Sequence, residues 1–182
     1  IKQVNPRVEV IGVQAEGADA IARSFREKKY IATDSVSTIA DGIAVKAPGD
    51  MTVELINRYA DDVVTVSDNE ISEAILLLME RCKQIVEPSG ATSVAAVLKG
   101  KVDVKGKKVV CLLSGGNIDV GFIQCIIKQG LTARHRNLRF TATLLDKPGN
   151  LVKLLNNIAE QGANILTVEH DRLSAALDPN QT

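Results

Sequence analysis

Segments of two kinds alternate along the first 130 residues. Residues 8–13 and 63–66 are short runs rich in valine and isoleucine, which is typical of strands. Residues 18–26 and 53–59 instead carry apolar side chains at every third or fourth position, as expected of helices that bury one face. The chain therefore begins as strand, helix, helix and strand.

A longer helix is predicted next. Ser67 and Glu70 form a capping box, in which each side chain accepts a hydrogen bond from a free backbone N–H at a helix start. Apolar positions continue the helical period to Ile85, where Glu87 and Pro88 interrupt it.

A short alanine-rich helix, 91–98, is predicted after this break, and the apolar run 108–113 follows it. A continuous apolar run of this length is typical of a parallel strand that is covered on both faces. Strands that alternate with helices indicate an α/β layered domain.

The pattern changes after Gly130. The basic residues Arg134, His135 and Arg136 are interpreted as a linker, with a domain boundary near residue 132, so that residues 1–131 and 132–182 form separate units. Beyond the linker, the sequence predicts a strand over 138–144, a helix that is capped at Asp146, and a second strand over 165–168.

Composition narrows the possible functions. The 22 basic side chains balance 22 acidic ones, which gives no indication of nucleic-acid binding. The longest apolar stretches are too short to span a bilayer, and no secretory segment opens the chain, so a cytoplasmic location is expected. The three cysteines, Cys82, Cys111 and Cys125, lie in apolar runs without metal-type spacing and are interpreted as buried thiols.

The loop after the 108–113 run is the main candidate for chemistry. Ser114, Gly115, Gly116 and Asn117 follow a predicted strand and precede a predicted helix, at the sheet edge where α/β proteins usually bind ligands. Two glycines would let a flat ligand approach the backbone closely. The same residues would also serve as a plain strand-to-helix turn.

Three ordered motifs give this chain a family resemblance. The 114–119 loop, the 87–91 segment and the 38–45 segment resemble, in order and spacing, those of the threonine dehydratase and serine racemase group. The resemblance implies part of the open sheet, with flanking helices, of the second fold type of pyridoxal-phosphate enzymes. It also implies that Ser114 bonds the pyridine nitrogen of pyridoxal 5'-phosphate, with Glu87 nearby.

The Schiff-base lysine and the phosphate loop of these enzymes precede the point where this chain begins, so the resemblance implies a carboxyl-terminal fragment that is inactive alone. Glu16 and Asp19 fall near a cation site of some relatives, but their spacing departs from it, and no metal is expected.

The second unit resembles an incomplete ACT domain, a ferredoxin-like module that binds amino acids. This resemblance implies an isoleucine or valine effector at Gly149, Asn150, Asn164 and Ile165. It also implies a homo-oligomer, either a dimer or a tetramer.

The expected function is deamination of threonine, and of serine, to a 2-oxo acid and ammonia, with feedback control in isoleucine biosynthesis. Two alternatives stay open. One is a serine racemase or serine dehydratase, and the other is a non-catalytic regulatory fragment that binds amino acids.

Overall fold

The structure, a computed structural model, describes residues 1–133 and 135–171. The chain divides into two compact units, Ile1–Asn137 and Leu138–Thr182. The boundary predicted near residue 132 falls in the last turn of a helix that ends at Ala133.

The first unit contains a parallel pair of strands. β1 (Ile11–Ala15) and β2 (Asp62–Val66) pair in register along their whole length, with Ala15 opposite Val66. The three valines of β2 suit this position because β-branched side chains pack well on a pleated surface. The carboxyl ends of both strands therefore lie at one edge of the sheet.

The described part of the first unit also contains five helices. They are α1 (Ala20–Glu27), α2 (Asp50–Tyr59), α3 (Asp68–Leu77), α4 (Pro88–Leu98) and α5 (Val120–Ala133). Of these, α1 and α4 pack against the strand pair. Two short 3₁₀ turns, Glu16–Ala18 and Asp41–Ile43, connect them to neighbouring segments. The α/β class is thus confirmed.

The capping box at the start of α3 is confirmed. The Ser67 hydroxyl accepts the Glu70 N–H at 3.3 Å, and the Glu70 carboxylate accepts the Ser67 N–H at 2.8 Å. The far end of this helix differs from the prediction, because α3 continues as a π-helical turn, Leu78–Cys82, and stops there. Lys83 then adopts a left-handed conformation with φ 58°, which reverses the chain before Ile85.

The core of the first unit centres on α3, which packs against α4 and α5. Its largest fully buried side chains include Ile71, Ile75 and Ile126, each with 0% of its surface exposed. Alanines of α4 complete the core, and their small size allows close approach between helices.

The predicted strand over 108–113 is not a strand in the structure. Within the described residues the only ladder is β1–β2, so this run has no neighbouring strand to supply hydrogen bonds. Val110 is accordingly 93% exposed.

The interpretation of the cysteines as buried thiols was also wrong, because Cys82 and Cys125 are exposed and Cys111 is only partly covered.

The second unit contains one described helix, α6 (Asn150–Glu160). It begins after Gly149, whose φ of 90° favours glycine. The N-cap position is therefore Gly149 and not the predicted Asp146. The predicted strands at 138–144 and 165–168 are not strands in the structure.

None of the helices described in the two units has both the length and the apolar character needed to span a membrane.

Candidate active site

The amino end of α4 carries the first element of the site. Pro88 occupies the first turn, where its missing N–H costs nothing, and Glu87 precedes it in an extended conformation. The Glu87 backbone N–H donates to the Gly115 carbonyl oxygen at 3.1 Å. This bond ties the start of α4 to the 114–117 loop.

The Glu87 carboxylate makes a second connection to the same loop. Its Oε2 accepts the Asn117 N–H at 3.2 Å. Because the loop contributes a backbone donor and a backbone acceptor to one residue, Glu87 holds both ends of the Gly115–Asn117 stretch.

The loop glycines are explained by this packing. A Cβ added at Gly115 would lie 2.6–2.7 Å from the Glu87 carboxyl atoms, and one added at Gly90 would lie 3.0 Å from the Gly115 oxygen. A Cβ at Gly116 would lie 3.1 Å from the Ile85 carbonyl oxygen. The chain therefore approaches itself closely at these glycines, and a side chain at Gly115 would displace the Glu87 carboxylate.

Gly42, in the 38–45 motif, lies against Ser89 and Glu87 at the start of α4. A Cβ at Gly42 would lie 2.8 Å from the Ser89 hydroxyl and 3.5 Å from Glu87 Oε1. Ser89 is only 7% exposed, and within the described part of the chain its hydroxyl has no hydrogen-bond partner. All three sequence motifs thus meet around Glu87.

A cleft of about 560 Å³ opens beside this junction. It is lined by the 37–41 segment, by residues 117–119 and by Phe122. Of the five predicted cofactor residues, Asn117 lines this cleft, while Ser114 and Gly116 are exposed elsewhere on the loop.

The apolar run that leads into the loop is tied to α4. Ser93 donates its hydroxyl to the Leu112 carbonyl at 3.0 Å, and the Cys111 sulfur lies 3.8 Å from the Ser93 carbonyl oxygen. Partial burial raises the pKa of the Cys111 thiol, which keeps it protonated near neutral pH.

One residue with structural importance at the site was missed by sequence reasoning. Asp68, the first residue of α3, bonds Thr38 and Ile39 through both carboxylate oxygens and also lines the cleft. An aspartate in the first turn of a helix is common for electrostatic reasons alone, so the sequence carried no signal that pointed to Thr38.

The predicted effector residues lie in the second unit. Gly149 and Asn150 stand at the start of α6, where the Asn150 amide donates to the Leu145 carbonyl at 3.0 Å. Asn164 and Ile165 follow α6 and are exposed. No contact in the described structure assigns an effector to them.

The fold and the meeting of the three motifs define a class of protein, and sequence comparison agrees with it. Residues 1–115 match the family described as "Pyridoxal-phosphate dependent enzyme". This match covers more than half of the chain, which therefore belongs to the family of pyridoxal-phosphate-dependent enzymes.

The chain is also similar to individual members of this family. The chain is 48% identical to the L-threonine ammonia-lyase of Thermotoga maritima over 172 residues, which are 94% of this chain and 43% of that protein. The chain thus spans less than half of the relative's length.

Solved structures give the same picture. The processed form of threonine deaminase isoform 2 from Solanum lycopersicum has a TM-score of 0.63 and 29% identity, over 70% of this chain and 36% of that one. Maize serine racemase has a TM-score of 0.62 and 33% identity, over 74% and 42% respectively.

The residues of the site are compatible with the family's cofactor. Ser114 is an exposed neutral hydroxyl on a loop that Glu87 holds in place, and the Ser89 hydroxyl, which has no partner among the described residues, marks a buried polar position nearby. A neutral hydroxyl suits a pyridine nitrogen, because it can donate to the nitrogen lone pair.

Proposed function

We propose that the protein carrying this chain is a threonine dehydratase. It would convert threonine to 2-oxobutanoate and ammonia, and would act on serine in the same way. The observation that carries this proposal is the convergence of three motifs on Glu87, which contacts the 114–117 loop and lies beside Gly42. The relative named L-threonine ammonia-lyase supports the choice of reaction.

The cofactor would lie against the 114–117 loop. When bound, pyridoxal phosphate supplies an electron sink that makes the substrate's α-proton removable, after which the β-hydroxyl can leave. Ser114 would hold the ring nitrogen through a neutral hydrogen bond. A carboxylate there would keep that nitrogen protonated, whereas a hydroxyl does not, and this milder withdrawal suits elimination.

The other loop residues would position Ser114. Glu87 keeps Gly115, Gly116 and Asn117 in place through two hydrogen bonds to the loop backbone, one from its own N–H and one to its carboxylate, so that Ser114 has a fixed location. We assign no catalytic residue to this chain, because none of its lysines matches the position of a Schiff-base lysine.

Ser114 provides the direct test. In the full protein, Ser114→Ala should weaken cofactor binding by roughly tenfold and lower 2-oxobutanoate formation, because the ring nitrogen loses its partner. Cofactor titration by absorbance and a 2-oxo acid assay measure the two effects. Ser35→Ala, which alters an exposed serine on another segment, is the control. Unchanged affinity and turnover in Ser114→Ala would refute the assigned role.

Serine racemase is the second candidate, because the maize enzyme shares the fold at a TM-score of 0.62. Product analysis separates the two functions. A dehydratase releases ammonia and a 2-oxo acid from L-serine, whereas a racemase accumulates D-serine.

The second unit is proposed to be part of an ACT domain that binds isoleucine or valine. The start of α6, at the exposed Gly149 and the half-buried Asn150, supports this, since helix amino termini favour carboxylates. The protein is further proposed to be a cytoplasmic homo-oligomer that serves isoleucine biosynthesis.

Asn164 tests the effector site. Asn164→Ala should raise the isoleucine concentration needed for half-inhibition without altering the rate in its absence. Asn156→Ala, at an exposed position on α6, is the matched control. Equal inhibition of wild type and Asn164→Ala would place the effector elsewhere.

A further inference from the structure

Asp68 connects the start of α3 to the 38–40 segment. β2 ends at Val66, Ser67 caps α3, and Asp68 is the first residue of that helix. Its side chain does not point to its own helix for partners. Instead, Oδ1 accepts the Thr38 hydroxyl at 2.5 Å and Oδ2 accepts the Ile39 N–H at 3.1 Å.

The hydrogen bonds continue along the 38–40 segment. The Thr38 hydroxyl oxygen accepts the Ala40 N–H at 3.1 Å while it donates to Asp68. Two hydrogen bonds therefore hold residues 38 and 39 against the start of α3, and a third bond fixes the conformation within residues 38–40.

This connection determines where one wall of the cleft lies. Thr38, Ile39 and Asp41 line the cleft together with Asn117 and Phe122. Ala40 lies between them with 0% exposure in the core, and Gly42 then passes against Ser89 and Glu87. A shift of residues 38–40 would change the width of the cleft at its lining side chains.

We propose that Asp68 is a positioning residue of the active site: it holds the 38–41 segment, which lines the cleft, in the position that the substrate requires. This inference rests on the proposed function for its kinetic consequence. It predicts an effect on substrate rather than on cofactor, since Glu87, and not Asp68, holds the 114–117 loop.

A purely helical role does not explain the geometry. An acidic residue in the first turn stabilises a helix through the macrodipole wherever its carboxylate points. The Ser67–Glu70 capping box already satisfies backbone donors at this helix start. Helix stability therefore does not require both Asp68 oxygens to accept hydrogen bonds from residues 38 and 39.

The test uses the full protein and two variants that break the same connection from opposite sides. Asp68→Asn places an amide donor against a donor, and Thr38→Val removes the hydroxyl but keeps the side-chain shape. Thr38→Ser retains both hydroxyl bonds and is the matched control. Asp103→Asn controls for loss of a carboxylate, because the Asp103 carboxylate accepts the nearby Lys105 N–H, away from the cleft.

Two readouts are measured. Amide hydrogen exchange at Ile39 and Ala40 should accelerate on the order of tenfold in Asp68→Asn and Thr38→Val, but not in the controls. In the same two variants kcat/KM for threonine should fall on the order of tenfold, mainly through KM, while cofactor affinity changes by less than about twofold.

The outcomes separate this proposal from the proposed function. Unchanged exchange at Ile39 and Ala40 would overturn the connection, and faster exchange with unchanged KM would reduce Asp68 to a structural anchor and overturn the positioning role. If the wild type does not deaminate threonine, the proposed function fails while the exchange result still decides the connection. If Asp68→Asn does not fold, Thr38→Val carries the same test.

Discussion

At the scale of single residues, the contact between Gly115 and Glu87 makes a specific prediction. Gly115→Ala would place a methyl group 2.6–2.7 Å from the Glu87 carboxyl atoms, so that the carboxylate must move and release the Asn117 N–H. We expect a loss of about 0.5–1.5 kcal/mol in the free energy of unfolding, because the flexible Glu87 side chain can move aside and the hydrogen bond that it loses is exposed. Denaturant titration would measure this loss.

A double variant identifies the cause of that loss. With Glu87→Ala already present, the added methyl group meets no carboxylate, so the further cost of Gly115→Ala should largely disappear. Gly49→Ala is the control glycine change, because its Cβ would meet only the Thr52 hydroxyl at an ordinary 3.6 Å. Additive costs in the double variant would mean that strain elsewhere in the loop, and not Glu87, excludes alanine.

At the scale of elements, the start of α3 supports both the core and the cleft. Ser67→Ala removes the acceptor for the Glu70 N–H and should lower the free energy of unfolding by about 1 kcal/mol. Ser67→Thr keeps a capping hydroxyl and should cost only part of that amount. Thermal or denaturant unfolding of the three proteins would compare them, and an equal stability of Ser67→Ala and wild type would contradict a working cap.

The elements also differ in how well their ends follow from local sequence. The start of α3 was predictable because its cap is formed by residues three apart. Its π-helical end and the left-handed Lys83 were not, since no local signal precedes them. The helix α4 begins at Pro88, three residues before the predicted start, because proline is readily accommodated in a first helical turn.

At the scale of the whole first unit, stability depends on the packing around α3. Ile75 is 0% exposed in the main apolar cluster, so Ile75→Ala should cost about 2–5 kcal/mol in unfolding free energy and Ile75→Val about 0.5–1.5 kcal/mol. Leu55→Ala, at a position that is 46% exposed, should cost clearly less than Ile75→Ala. Denaturant unfolding of the three variants checks this ranking, and a Leu55→Ala cost as large as that of Ile75→Ala would contradict it.

Sequence alone determined the class of fold, the order of strands and helices up to α3, and the three motifs that meet at Glu87. These features depend on short-range periodicity and on residue types at fixed spacings, and both are visible in the sequence itself. The pyridoxal-phosphate family was likewise predictable from the motifs and is confirmed by the comparison over residues 1–115.

Only the tertiary structure decided the remaining features. The run 108–113 has strand composition but no neighbouring strand among the described residues, and a strand exists only when another backbone completes its hydrogen bonds. The bond of Asp68 to Thr38 joins residues 30 positions apart, and the bond of Glu87 to Asn117 also spans 30. Such pairs have no local signature, because chain folding and not spacing brings their atoms together.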